Sequence, residues 1–159
     1  MEEKAKKTIP AQVLLDKARR YCALSEQCET AVRQKLIAWG AGPSDVEAVV
    51  DNLRADGYLD DMRYAKAYAE SKMLHQHWGR QKVLYQLRLK RLSKEAVTEA
   101  MAMVPDEVYY RILADEATKK MRLLGEDTPD NQRRLTAFLA SRGYTLGEIN
   151  HVINNTTAL

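Results

Sequence analysis

Residues 83–101 read VLYQLRLKRLSKEAVTEAM, and the chain holds two counterparts of this stretch: VRQKLIAWGAGPSDVEAVV at 32–50 and LTAFLASRGYTLGEINHVI at 135–153. The three align without gaps at offsets of 51 and then 52 residues. Val83, Leu87, Arg91, Val97, Ala100 and Met101 fall on Val32, Leu36, Gly40, Val46, Val49 and Val50, and on Leu135, Leu139, Gly143, Ile149, Val152 and Ile153. Each copy is an apolar i, i+4 pair, a turn, and a second apolar set that begins fourteen residues after the first. The i, i+4 spacing places both members of a pair on one helix face, so each copy reads as two helices joined by a tight turn.

Outward from these cores, a further helix precedes each copy, over about 11–24, 60–76 and 106–124. The unit is three helices of about 50 residues used three times, which is the signature of a repeat architecture. Boundary signals agree. Ser44 with Glu47, and Thr145 with Glu148, have capping-box spacing. Gly57, Gly125 and Gly143 fall where a helix would end in a left-handed residue. Pro10, Pro105 and Pro129 fall at helix starts. No β-branched run alternates with polar residues, so strands are not expected. The expected fold is all-α: about nine helices in three tandem three-helix repeats, resembling helix-turn-helix modules and stacked into an elongated, curved body. The expected division is a flexible tail at 1–10, then repeats at 11–58, 59–104 and 105–159. Nothing like a coiled-coil seam appears, and a monomer is expected.

Apolar residues make up 45% of the 159, enough for a real core, but one Phe and two Trp make that core aliphatic. No apolar run approaches the roughly 20 residues that span a bilayer. The charged stretch Met1–Thr8 is not followed by an apolar signal segment, so a cytoplasmic protein is expected. Cys22 and Cys28 sit six apart, outside any CxxC pair, and read as small packing residues.

Catalytic constellations are missing. There is no GxSxG, no glycine-rich phosphate loop and no HExxH. His75 and His77 are two apart on an expected helix and point in different directions, and no metal or cofactor is expected. Asp60 and Asp61 open a helix, where carboxylates satisfy free N–H groups and the helix dipole. An enzyme is therefore not expected.

The net charge of +3 conceals a strong asymmetry. Residues 1–61 carry nine Lys/Arg against eleven Asp/Glu, and residues 95–159 carry seven against ten. Residues 62–94 carry Arg63, Lys66, Lys72, Arg80, Lys82, Arg88, Lys90, Arg91 and Lys94 against Glu70 alone. Like charges at this density repel one another unless an anionic partner is near, so these nine residues are the candidate binding surface. On the expected helix 79–91, Val83, Leu84 and Leu87 form one apolar strip and Tyr85 with Leu89 a second, nearly opposite, while Lys82 and Arg88 lie on different flanks. DNA phosphate and an acidic protein groove both satisfy that pattern.

The stretch Gly57-Tyr58-Leu59-Asp60-Asp61-Met62-Arg63-Tyr64-Ala65-Lys66-Ala67-Tyr68 resembles the GYLDDxRYAxxY signature of the RecX family, bacterial regulators that act on the RecA recombinase. The family's G-x-x-R-I-x-x-E-L-x-x-K-G-I run is similar to the pattern of Gly79, Lys82, Val83, Leu87, Lys90 and Leu92. Ala18, Tyr21, Ser25 and the run to Leu36 resemble its upstream helix and turn, and Arg142-Gly143-Tyr144 resembles its final RGY. The likeness spans about residues 12–155. Arg91 stands where the family usually has Gly, Gln86 where it has Glu, and 73–78 is less basic than the family's linker. The resemblance implies tandem three-helix repeats and a protein that binds the RecA–DNA filament. It implies restraint of strand exchange, ATP hydrolysis and RecA-promoted repressor cleavage, and so a place in DNA repair and the SOS response, without cofactor or catalysis. The alternative expectation is a helix-turn-helix-like protein that acts directly on single- or double-stranded DNA.

Overall fold

The computed structural model describes residues 9–156, and the Met1–Thr8 part of the expected tail lies outside them. Among the described residues the order is α1 Ala11–Leu24, α2 Glu29–Ala38, α3 Pro43–Ala55, α4 Asp61–Glu70, a π-helical turn Ser71–His75, α5 Arg80–Leu89, α6 Lys94–Met101, α7 Asp106–Leu124, α8 Pro129–Ser141 and α9 Leu146–Thr156. The protein is all-helical, and its helices fall into three three-helix repeats.

The threefold register holds at the level of backbone angles. Gly40, Arg91 and Gly143, the aligned turn residues, take φ of 93°, 55° and 102°. Turns of this kind close the helix C-terminus by folding later N–H groups back onto its last carbonyls. Ala41 N–H donates to the Leu36 carbonyl at 3.0 Å and Tyr144 N–H to the Leu139 carbonyl at 3.2 Å, one bond at equivalent places. The apolar pairs Val32/Leu36, Val83/Leu87 and Leu135/Leu139 are all buried. A cation meets a ring at one further equivalent pair in the first two repeats, 22 residues apart in each: Lys17 lies over Trp39 and Lys90 over Tyr68; in the third repeat the equivalent positions are Lys120 and Arg142, and both approach Phe138.

Caps differ from expectation at Ser44 and at Gly125. Pro43 already occupies the first helical position, Gly42 is the cap, and no side-chain cap bond forms. Ser44 therefore sits inside the first turn, and Glu47 binds Arg33 of α2 instead. The Thr145–Glu148 box does form, with bonds of 2.8 and 3.2 Å. Gly125 has positive φ, but its ψ of −126° lies outside the left-handed helical well. The helix expected over 60–76 is α-helical only to Glu70. Its last turn widens, and His77 lies beyond it with φ of 57° rather than on a helix beside His75.

The described residues form two compact units, one running to Tyr64 and the other beginning at Ala65. In the first, Leu14, Ala18, Val32, Leu36, Val50 and Leu53 are each almost wholly withdrawn from water and share one aliphatic core. In the second, Met73, Val83, Leu87, Tyr109, Leu113, Leu139, Tyr144 and Ile149 are buried. From Ala65 onward, repeats two and three thus belong to one unit, and their backbones touch. Gly79 N–H donates to the Arg142 carbonyl at 2.8 Å and Gln81 N–H to the Gly143 carbonyl at 3.2 Å.

Candidate partner-binding face

Helix α5 is held along one strip. Val83 and Leu87 are fully buried and Leu84 is half-buried, while Tyr85 and Leu89 on the opposite side are 62% and 57% exposed. Lys82, half-buried, and Arg88, exposed, flank that outer strip. The second unit therefore presents an apolar ridge between cations, as the two-strip pattern leads one to expect.

The structure separates the nine candidate cations by their surroundings. Arg63 belongs to the first unit, where its Nε meets Glu26 at 2.7 Å and a further nitrogen donates to the Gly57 carbonyl at 3.1 Å. Lys66 lies 3.8 Å from Glu99. Arg80 meets Asp106 at 2.6 Å and lies 4.0 Å over the Tyr109 ring. Lys72, Lys82, Arg88, Arg91 and Lys94 form no ion pair among the described residues. Lys90 sits over the Tyr68 ring at 5.2 Å.

The sequence pattern does not single out the two rings that gather these cations. Trp78 has the Lys72 ammonium 4.6 Å and the Lys82 ammonium 4.2 Å from its ring centre. Tyr68 has Lys72 at 5.4 Å and Lys90 at 5.2 Å. Each contact is worth about 0.5–2 kcal/mol, and the ring quadrupole offsets part of the repulsion among the ammonium groups. Burial raises the Tyr68 phenol pKa, so the ring stays neutral. The i, i+4 spacings Tyr68–Lys72 and Trp78–Lys82 are the signal that could have marked the cluster. The π turn aligns the two halves. Gln76 N–H reaches the Ser71 carbonyl at 3.2 Å and Trp78 N–H the Lys72 carbonyl at 2.9 Å, which carries Trp78 back beside Lys72. Turns of this type recur at functional sites.

The motif Gly57–Tyr64 is engaged within the first unit. Gly57 has φ of 77°, Tyr58 N–H closes the α3 terminus on the Leu53 carbonyl at 2.9 Å, and Leu59 is buried in the aliphatic core. Asp60 accepts from the Arg63 N–H at 3.0 Å and caps α4, its own helix. Asp61 accepts from the Glu29 N–H at 2.8 Å and so caps α2, 32 residues away. Its carboxyl pKa is raised, chiefly by burial. Tyr64 is half-buried on α4. The two carboxylates serve two different helices.

Residues 60–101 match the family model described as the second three-helix domain of RecX, and residues 107–153 match that for the third. The chain belongs to the RecX family. Curated relatives named "Regulatory protein RecX" include that of Vibrio vulnificus, 26% identical over 148 residues, covering 93% of this chain and 95% of the relative. That of Escherichia fergusonii is 29% identical over 155 residues, covering 89% and 90%. The crystal structure of RecX from Lactobacillus salivarius superposes with a TM-score of 0.84 at 16% identity, covering 94% of this chain and 97% of that one, and shares the fold. RecX relatives bear the name of regulatory proteins, which assigns this chain a regulatory role. No helix among the described residues is long and apolar enough to cross a membrane.

Proposed function

We propose that this chain binds the RecA–DNA filament and restrains its recombinase, ATPase and coprotease activities by occupation, with no catalysis of its own. The observation that carries this reading is the outer side of α5, where the exposed Tyr85 and Leu89 are flanked by Lys82 and Arg88, cations that form no ion pair among the described residues. A cationic rim around an apolar ridge suits a surface that is both anionic and protein-like, as a nucleoprotein filament is. The chain would act in the cytoplasm as a monomer, with repeats at 11–58, 59–104 and 105–159.

The test is RecA ATPase on single-stranded DNA with this protein added below one copy per RecA. Inhibition is expected, and Lys82→Glu with Arg88→Glu should abolish it while helicity stays intact. No inhibition at any ratio overturns the reading. The alternative of direct sequence-specific DNA binding is disfavoured by α6, the third helix of the middle repeat, whose Lys94 is accompanied by Glu95 and Glu99.

A further inference from the structure

The third repeat contributes no residue to the cationic face, yet it grips the segment that carries it. Five groups of residues 76–81 end on repeat three. The Gln76 carbonyl accepts from the Arg142 guanidinium at 2.6 Å and the His77 carbonyl from the Tyr144 hydroxyl at 2.8 Å. The Gly79 and Gln81 N–H groups donate to the Arg142 and Gly143 carbonyls. Arg80 N–H donates to the Tyr109 hydroxyl at 3.0 Å. Tyr109 and Tyr144 are buried, with ring centres 5.6 Å apart. Burial raises both phenol pKa values, which keeps the hydroxyls as neutral hydrogen-bonding groups.

Sterics make the joint unforgiving. A Cβ on Gly79 would stand 2.1 Å from the Gly143 carbonyl carbon, and a Cβ on Gly143 would stand 2.3 Å from the Lys82 Cβ. Gly143 also holds φ of 102°, which L side chains rarely adopt. Trp78 emerges among the gripped groups and Lys82 directly follows them, with a ring–ammonium contact of 4.2 Å between the two.

We propose that Arg142-Gly143-Tyr144 is a positioning element for the binding face of repeat two: by fixing residues 76–81 it sets the ring of Trp78 and the start of α5 in the arrangement that meets the partner. This rests on the filament-binding reading above. Tyr144 and Arg142 act through Trp78 and Lys82 and touch no partner themselves. Tyr144→Phe deletes one hydroxyl and keeps the buried ring.

The experiment uses the full chain carrying Trp39→Phe, which leaves Trp78 as the one tryptophan. Acrylamide quenching of Trp78 and the concentration for half-inhibition of RecA ATPase are measured with and without Tyr144→Phe, with helicity followed by circular dichroism. Expected are unchanged helicity, a clear rise in quenching and a roughly fivefold weaker inhibition, the scale of one lost hydrogen bond. In a Lys82→Ala background the same change should add little further loss, because both act on one face. Unaltered Trp78 quenching in the folded variant, or losses that multiply fully with Lys82→Ala, overturns the proposal. Should Tyr144→Phe not fold, Arg142→Gln carries the same measurements. Failure of the parent protein to inhibit RecA sinks the filament reading alone, because Trp78 quenching still decides whether the turn positions the face.

Discussion

Arg91 shows how a single residue can retain a backbone conformation that suits another. It holds φ of 55° at the position where Gly40 and Gly143 stand in the sister repeats. A left-handed conformation costs a residue with a Cβ roughly 1–2 kcal/mol, and glycine returns about 0.4–1 kcal/mol of that through the entropy of the unfolded chain. Arg91→Gly should therefore raise stability by about 0.5–1 kcal/mol in urea titration. A loss of stability would show that the arginine side chain contributes more than its backbone strain. Glu29 makes a second residue-scale case. The hydrogen bond from Arg54, followed by that from Arg33, holds its carboxyl below the ordinary range against the opposing effect of burial. A carboxyl lowered on folding stabilises fully above its unfolded pKa, and that contribution is lost as pH falls through the folded value. Glu29→Gln should flatten the acid limb of stability below about pH 4.5, measured by denaturant titration from neutral to acid pH. An acid limb as steep as that of the parent would place the coupling elsewhere.

Helices and turns decide which charges are available. Arg80 and Arg88 are two cations of one helix with different surroundings. Arg80 is ion-paired to Asp106, stacked on Tyr109 and bonded to the Val104 carbonyl, whereas Arg88 is exposed and makes no ion pair among the described residues. Arg80→Ala should lower stability by about 1–3 kcal/mol, mostly through the lost ring contact and packing. Arg88→Ala should stay within about 0.5 kcal/mol. Thermal melts of the two variants settle this, and equal losses would show that Arg80 is not part of the scaffold. A triple charge reversal that includes Arg80 mixes unfolding with loss of binding, so Lys82 and Arg88 are the informative pair. The π turn belongs to the same scale. Periodicity locates the helix that enters it but not the widening, because residues 71–76 contain neither Pro nor Gly to mark a change. The extra residue is accommodated where the following segment is held against repeat three.

At the scale of the whole molecule, one repeat carries the charge and its neighbour holds it in place. Binding to bare DNA would rest on counterion release and fall steeply with salt. A filament complex that also buries the Tyr85–Leu89 ridge should weaken much less between about 50 and 200 mM salt, since apolar burial is not screened. Titration of the protein against DNA alone and against assembled filament, at both salt concentrations, separates the two. Parallel salt slopes would mean that the ridge stays out of the contact.

The helical class, the three-repeat register and the positions of the turn residues were all determined along the chain. They follow from periods of three and four and from local turn chemistry, and neighbours in sequence suffice to express them. The concentration of positive charge in residues 62–94 was legible for the same reason, as was the pattern of the family motif. Tertiary structure decided which of those cations remain available, that Trp78 and Tyr68 gather them, that Asp61 caps a helix 32 residues away, and that repeats two and three join through Gly79 and Gly143. These depend on pairs remote in sequence, such as Tyr144 with His77, 67 residues apart. No local periodicity encodes such a pairing, because it exists only once the third repeat packs against the second within one compact unit.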